Sequence, residues 1–167
     1  SYELAPWLTA TYQLGVDQYS QKQQRTLNRG GARVPDGQMQ TFEIKNRIID
    51  QLANLLYNFT LSDDLTLDGI IGFNSRSEVG DFTGIFSSNL FVYGLFNHGL
   101  FIDHCSFSAI QRENTLGAYA TATLVFKNYF YLNLQARNDW TSTLEQDNYS
   151  VFYPSVSVSF VPTDAFA

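Results

Sequence analysis

Residue types able to do chemistry are few in this chain and poorly grouped. His98, Asp103, His104 and Cys105 form the densest ligand-type cluster. A metal would need neutral imidazole, thiolate and carboxylate to converge at tetrahedral spacing. The spacing here fits no metal signature, and the surrounding stretch is rich in Phe and Gly, so it reads as an ordinary loop with no metal. Serines are many, but both histidines share that one stretch and no G-x-S-x-G elbow is present, so no nucleophile triad can be assembled. Asp63-Asp64 reads as a turn whose carboxylates cap backbone donors. A glycosidase pair would need facing strands and a cleft. Gly30-Gly31 lacks the Lys-Ser/Thr that completes a phosphate cradle. The reading is therefore no enzyme, no catalytic residue and no cofactor.

A polar ladder is the better candidate. Tyr131, Asn133, Gln135, Arg137 and Asp139 recur at every second position. In an extended chain they share one face. Between them fall Phe130, Leu132, Leu134, Ala136 and, beyond, Trp140, which share the other. A second candidate set is aromatic. Phe86, Phe91, Tyr93, Phe96 and Phe101 lie in the stretch 85–101, where they could stack on sugar rings or pack under a partner, with plain loop packing as an equal alternative; Phe91, Tyr93 and Phe96 are the favoured members.

Such a ladder must be carried by strands, and the same period recurs along the chain. In 151–161, Phe152, Pro154, Val156, Val158 and Phe160 oppose Tyr153, Ser155, Ser157 and Ser159. In 117–126, Ala118, Ala120, Ala122, Leu124 and Phe126 oppose Tyr119, Thr121 and Thr123. Segments 65–76 and 8–17 repeat the arrangement. Segment 42–61 also fits a 3.6-residue period, so an amphipathic helix competes there. A Ser62-Asp63-Asp64 turn leading into the next strand favours a hairpin. Six strands result: 7–17, 42–61, 65–78, 106–126, 130–141 and 150–161.

The composition agrees. The 167 residues are 44% hydrophobic, 16% aromatic and only 16% charged, against about 25% charged in an ordinary soluble domain. Disorder, collagen and coiled coil are excluded. Cys105 is the single cysteine, which excludes a disulfide scaffold. The net charge of −6 offers no basic stripe for nucleic acid.

Tight turns at 62–64, 127–129 and 162–164 alternate with longer stretches at 18–41, 77–106 and 142–149. Short turns at one end and long loops at the other mark an outer-membrane barrel. Strand length agrees, since a tilted membrane strand needs about 9–11 residues. Aromatics gather near segment ends: Trp7, Phe126, Tyr129, Phe130, Trp140, Tyr149, Phe152 and Phe160. Interfacial girdles lie at such positions. A soluble β-sandwich, for instance an adhesion domain, is the competing architecture; it requires the apolar faces to be buried within the chain.

Residues 117–162 carry a specific resemblance. Arg137-Asn138-Asp139-Trp140-Thr141-Ser142-Thr143-Leu144, followed after a short polar loop by Phe152-Tyr153-Pro154-Ser155-Val156-Ser157-Val158-Ser159-Phe160, resembles the barrel of SusC/RagA-type TonB-dependent outer-membrane transporters of Bacteroidetes. Asn54-Leu55-Leu56-Tyr57-Asn58-Phe59 more weakly resembles an earlier hairpin of that barrel. The resemblance implies an all-β, antiparallel, up-and-down transmembrane barrel of about 22 strands, with 42–61 as a strand. It implies tight turns in the periplasm, long loops outside, and the polar ladder facing a plug or the substrate path. It further implies nutrient import of oligosaccharides or peptides across a Gram-negative outer membrane. The implied partners are the lipid bilayer, a SusD-like surface lipoprotein, and TonB-ExbB-ExbD acting through a plug and N-terminus that this chain lacks. Six strands cannot close a barrel, since single-chain bacterial barrels begin at about 8. The expectation is thus residues 1–167 as part of one larger barrel domain. A non-transporting component of an envelope assembly is the alternative role.

Overall fold

The computed structural model describes residues 1–145 and 149–165. The strands are β1 (Tyr2–Ala5), β2 (Leu8–Leu27), β3 (Gln38–Ser62), β4 (Leu65–Leu90), β5 (Phe101–Phe126), β6 (Phe130–Thr141) and β7 (Ser150–Phe160), followed by a helical turn, α1 (Pro162–Ala165). They form one sheet in the order β1-β2-β3-β4-β5-β6-β7, each strand beside its sequence neighbours. This is the up-and-down antiparallel meander expected from the alternation. Segment 42–61 lies wholly within β3, so its helical period does not prevail.

Two differences from the sequence reading stand out. A seventh strand, β1, is present; four residues are too few to display a period. The stretches 18–41 and 77–106 are largely strand rather than loop. β2 continues to Leu27, β3 starts at Gln38, β4 continues to Leu90 and β5 starts at Phe101. Alternation is visible only where the two faces meet different surroundings. Backbone ladders also form where both faces are polar, because the pairing of N–H and C=O groups does not require apolar side chains.

The chain divides into two compact units. The first comprises Ser1–Val16, Ile49–Ser77 and Glu113–Ala167; the second comprises Asp17–Ile48 and Glu78–Arg112.

In the first unit, register fixes the two faces. Ala122 pairs with Leu134, and Leu134 with Val156. Leu124, Leu132 and Val158 form the next rung, and Phe126, Phe130 and Phe160 the last. Tyr129 stands edge-on to both Phe126 and Phe160, with centroids 5.7 and 5.8 Å away. Among the described residues nothing covers this apolar face: Phe152 is 60% exposed, Val156 68% and Val158 60%. That excludes the sandwich, which requires these side chains to be buried. Along β6 the Phe130 rung and Trp140 are ten residue steps apart. At about 3.4 Å per step and a tilt of about 40°, they are separated by about 26 Å, close to the height of about 25 Å of an outer-membrane apolar band.

Turns at one end of these strands are stitched together. Lys127 and Asn128 both adopt left-handed φ, at 48° and 59°, and Tyr129 N–H donates to Phe126 O at 3.2 Å. Lys127 N–H donates across to Asp64 O at 2.8 Å, and its ammonium lies 3.5 Å from the Asp64 carboxylate. Trp7 stacks on Phe59 with centroids 4.8 Å apart, and Asn58 N–H donates to Trp7 O at 2.9 Å. Higher up, the Tyr57 ring lies over Gly69 and its hydroxyl donates to Thr121 O at 2.9 Å. Only glycine admits that approach, because a Cβ at 69 would overlap both the ring and the Thr121 carbonyl.

The second unit has a small core of Met39, Leu90 and Phe101, with Leu100 against it. Its two loops, 28–37 and 91–100, are tied into that core. Leu90 N–H donates to Asp36 O at 2.7 Å, and Phe91 N–H to Leu100 O at 2.8 Å. Residues 98–100 form a 3-10 turn capped by Asn97, whose side chain accepts from Gly99 N–H at 2.9 Å.

Candidate functional site: a polar row on the sheet

The β6 ladder is the positioned part of the chain's polar chemistry. Register carries it sideways: Tyr119, Arg137 and Tyr153 form one rung; Thr121, Gln135 and Ser155 the next; Thr123, Asn133 and Ser157 the third. Arg137 is gripped by Asp139. Its Nε donates to both carboxylate oxygens at 2.9 Å, and Nη2 lies 2.8 Å from Oδ1. The guanidinium carbon sits 5.6 Å from the centroid of the Tyr119 ring. Planar charge above an aromatic face, held by a two-point carboxylate contact, fixes the guanidinium far better than a single contact would.

Tyr119 extends the row. Its ring lies over Gly72 of β4, where any Cβ would overlap it, and its hydroxyl donates to Asn54 Oδ1 of β3 at 2.6 Å. The row therefore runs Asn54, Tyr119, Arg137 and Tyr153 across β3 to β7. Lower down, Thr123 donates to Asn133 Oδ1 at 2.7 Å, and the Tyr131 hydroxyl donates to Asn128 O at 2.8 Å. The Arg137 side chain stays 43% exposed, open enough to meet a further partner while held in place.

Sequence reasoning assigned Tyr119 to the polar face but not to the site. The signal was cross-strand register: once the 127–129 turn is fixed, Tyr119 must oppose Arg137. Tyr153 is placed opposite Arg137 by the separate β6–β7 register, and Asn54 is found only through its hydrogen bond from the Tyr119 hydroxyl.

The aromatic candidates separate. Phe91, Tyr93 and Phe96 do lie in the 91–100 loop, Phe91 and Tyr93 being 73% and 72% exposed. Phe86 belongs to β4, and Phe101 opens β5 buried in the small core. The stretch 85–101 is therefore only in part a loop. The ligand-type cluster does not converge. Asp103 accepts from the Asn89 amide, Cys105 is an exposed free thiol, and the two imidazoles meet at Ser87 instead. Among the described residues no group of three or more His, Cys, Asp or Glu could hold a metal.

The comparisons decide what kind of sheet this is. The family model for the TonB dependent receptor-like β-barrel matches residues 1–167. The chain belongs to that family. It is also similar to solved structures of the RagAB peptide transporter, at 18% identity and a TM-score of 0.88 over 97% of this chain. RagAB peptide importer structures in "closed-closed" and "open-open" states match equally well, each over 98% of this chain. The chain spans 19% of the length of each of those chains. No curated protein sequence matches it. The SusC/RagA resemblance carried by 137–144 and 152–160 is thus borne out in fold, and the seven strands are a segment of a TonB-dependent receptor barrel.

Proposed function

We propose that this segment forms part of the wall of a larger SusC-like barrel that imports nutrients, oligosaccharides or peptides, across a Gram-negative outer membrane. The observation that carries the reading is the two-faced sheet of the first unit. One face exposes Leu134, Phe152, Val156 and Val158 between aromatic rows spaced to the height of a lipid band. The other presents a fixed polar row. A lipid-exposed sheet cannot leave edge backbone groups unsatisfied in a bilayer. β1 and β7 are the edges of this sheet, so further strands must complete it. The polar row then faces the lumen, where Tyr131, Asn133, Gln135, Arg137 and Asp139 contact a plug or line the substrate path. Phe91, Tyr93 and Phe96 sit on the outer loop, where a SusD-like lipoprotein would close over the barrel. Energy would come from TonB-ExbB-ExbD through a plug.

The test uses the whole native polypeptide in its own outer membrane. Fluorescent oligopeptides and oligosaccharides are offered to cells with and without the gene, and with the TonB system uncoupled. TonB-dependent accumulation of one class that disappears with the gene is the expected result. Intact barrels that accumulate neither class would establish the non-transporting envelope role instead.

A further inference from the structure

Both histidines converge on one hydroxyl that the polar row and the barrel face do not use. Ser87 of β4 is fully buried. Its Oγ lies 2.8 Å from His98 Nδ1 and 2.9 Å from His104 Nδ1. His98 Nε2 lies 2.8 Å from Thr41 Oγ1 of β3. His98 opens the 3-10 turn of the 91–100 loop, while His104 belongs to β5 and is exposed to water. One hydroxyl therefore joins the loop to the strands it folds against.

Proton counting gives this arrangement a definite response. A hydroxyl donates one hydrogen. With both rings neutral, Ser87 donates to one Nδ1 and accepts from the other Nδ1–H, so the rings hold opposite tautomers. A single proton is also accommodated: His98 donates to Thr41 and Ser87, and Ser87 donates to His104. A second proton is not. Both Nδ1–H groups then point at one oxygen, the buried Ser87 hydrogen loses its acceptor, and two cations share it. We propose that Ser87, His98 and His104 form an acid-released latch holding the 91–100 loop against the extended strands.

The charged surroundings favour release on acidification. Burial, then His104, then Lys22 of β2 hold the His98 pKa below its ordinary value of 6.5. From β3 and β4, Thr41 and Ser87, both uncharged, meet its ring. On β3, Glu43 is engaged by Lys45 at 3.5 Å, and on β5 Asp103 is engaged by Asn89. A lowered folded-state value means that the open loop binds protons more readily. The latch is therefore fully made above about pH 6.5, weakens as the pH falls below it, and opens when the second proton is taken up. The inference holds whatever the barrel carries.

Hydrogen–deuterium exchange of the whole native polypeptide in nanodiscs reads this directly. Residues 91–104 are followed from about pH 8 to about pH 5, across the histidine range, after correction for the chemical exchange rate. Protection should fall below about pH 6.5 by up to tenfold per pH unit for each proton taken up. Residues 130–141 should stay protected throughout. The double variant His98→Gln/His104→Gln should show no such acid step. Protection of 91–104 that is unchanged across the range in the wild type, or an acid step undiminished in the double variant, overturns the latch.

Discussion

Of the chain's ten Lys and Arg residues, the first compact unit holds three, Arg76, Lys127 and Arg137, and the second holds seven. All three in the first unit are matched with carboxylates: Arg76 with Asp50 at 3.5 Å, Lys127 with Asp64 at 3.5 Å, and Arg137 with Asp139 at 2.8 Å. The same strands run through both units under different constraints. In the first, one face is apolar from the Phe126–Phe130–Phe160 rung to the Ala120–Ala136–Pro154 rung, while Lys127 lies at a turn and Arg137 on the polar face. In the second, polar side chains occupy both faces and the backbone ladder itself holds the strands. A charge is inexpensive where water reaches it and costly where lipid does. The contrast teaches that the two units differ in the character of their strand faces rather than in secondary structure.

The most direct way to break that comparison is to place one cation in each unit. Leu134→Arg puts a guanidinium mid-way between Phe130 and Trp140 on the exposed apolar face, and should destabilise the membrane-inserted protein by about 2–4 kcal/mol. Ile110→Arg, at a side chain 63% exposed in the second unit, should change stability by less than about 0.5 kcal/mol. Denaturant unfolding from vesicles, followed by the gel shift of the folded barrel, measures both. Equal costs at the two sites would erase the distinction. The next largest effect concerns packing. Gly69→Ala drives a methyl into the Tyr57 ring and the Thr121 carbonyl, an overpacking that should cost about 1–3 kcal/mol. Gly99→Ala in the second unit meets only Asn97 Oδ1 at 3.5 Å and should be nearly neutral by the same assay.

The same contrast explains what was legible in the sequence. Where Leu132, Leu134 and Ala136 lie on one face and Asn133, Gln135 and Arg137 on the other, alternation reports strand and face correctly. Residues 18–27 and 78–90 carry no such record, since Gln18, Ser20, Lys22 and Gln24 sit in water as readily as their neighbours. Their strand state is decided by pairing with β3 and β5, which no local pattern encodes. The site was legible in the same proportion. Arg137 and Asp139 were visible because they lie two apart on one strand. Tyr119, Asn54 and Ser87 reach their partners across strands, which no pattern within one strand reveals.

Within the first unit, Tyr119→Phe removes the hydroxyl that reaches Asn54 while keeping the ring under Arg137. A loss of about 0.5–1.5 kcal/mol is expected, read as a lower denaturant midpoint at unchanged slope. Removing the ring with Tyr119→Ala should cost more, because the aromatic partner of Arg137 and the cover over Gly72 go with it. If Tyr119→Ala and Tyr119→Phe prove equal, the ring contributes nothing and the row is held by its hydrogen bond alone.

The smallest effect tests whether the paired cations of the first unit are structural or only tolerated. Asp64→Asn keeps the side-chain shape and removes the charge facing Lys127. Both side chains are about half exposed, at 48% and 56%, so solvent screens the pair and its loss should cost about 0.2–1 kcal/mol. Glu43→Gln makes the equivalent change opposite Lys45 in the second unit, at 3.5 Å and similar exposure. Pairwise geometry alone predicts equal losses that both vanish in high salt. A larger loss at Asp64 that persists in salt would show that the turn is stiffened by its backbone tie, Lys127 N–H to Asp64 O. Charge pairing in the first unit would then owe its strength to the stitched turns rather than to Coulomb attraction.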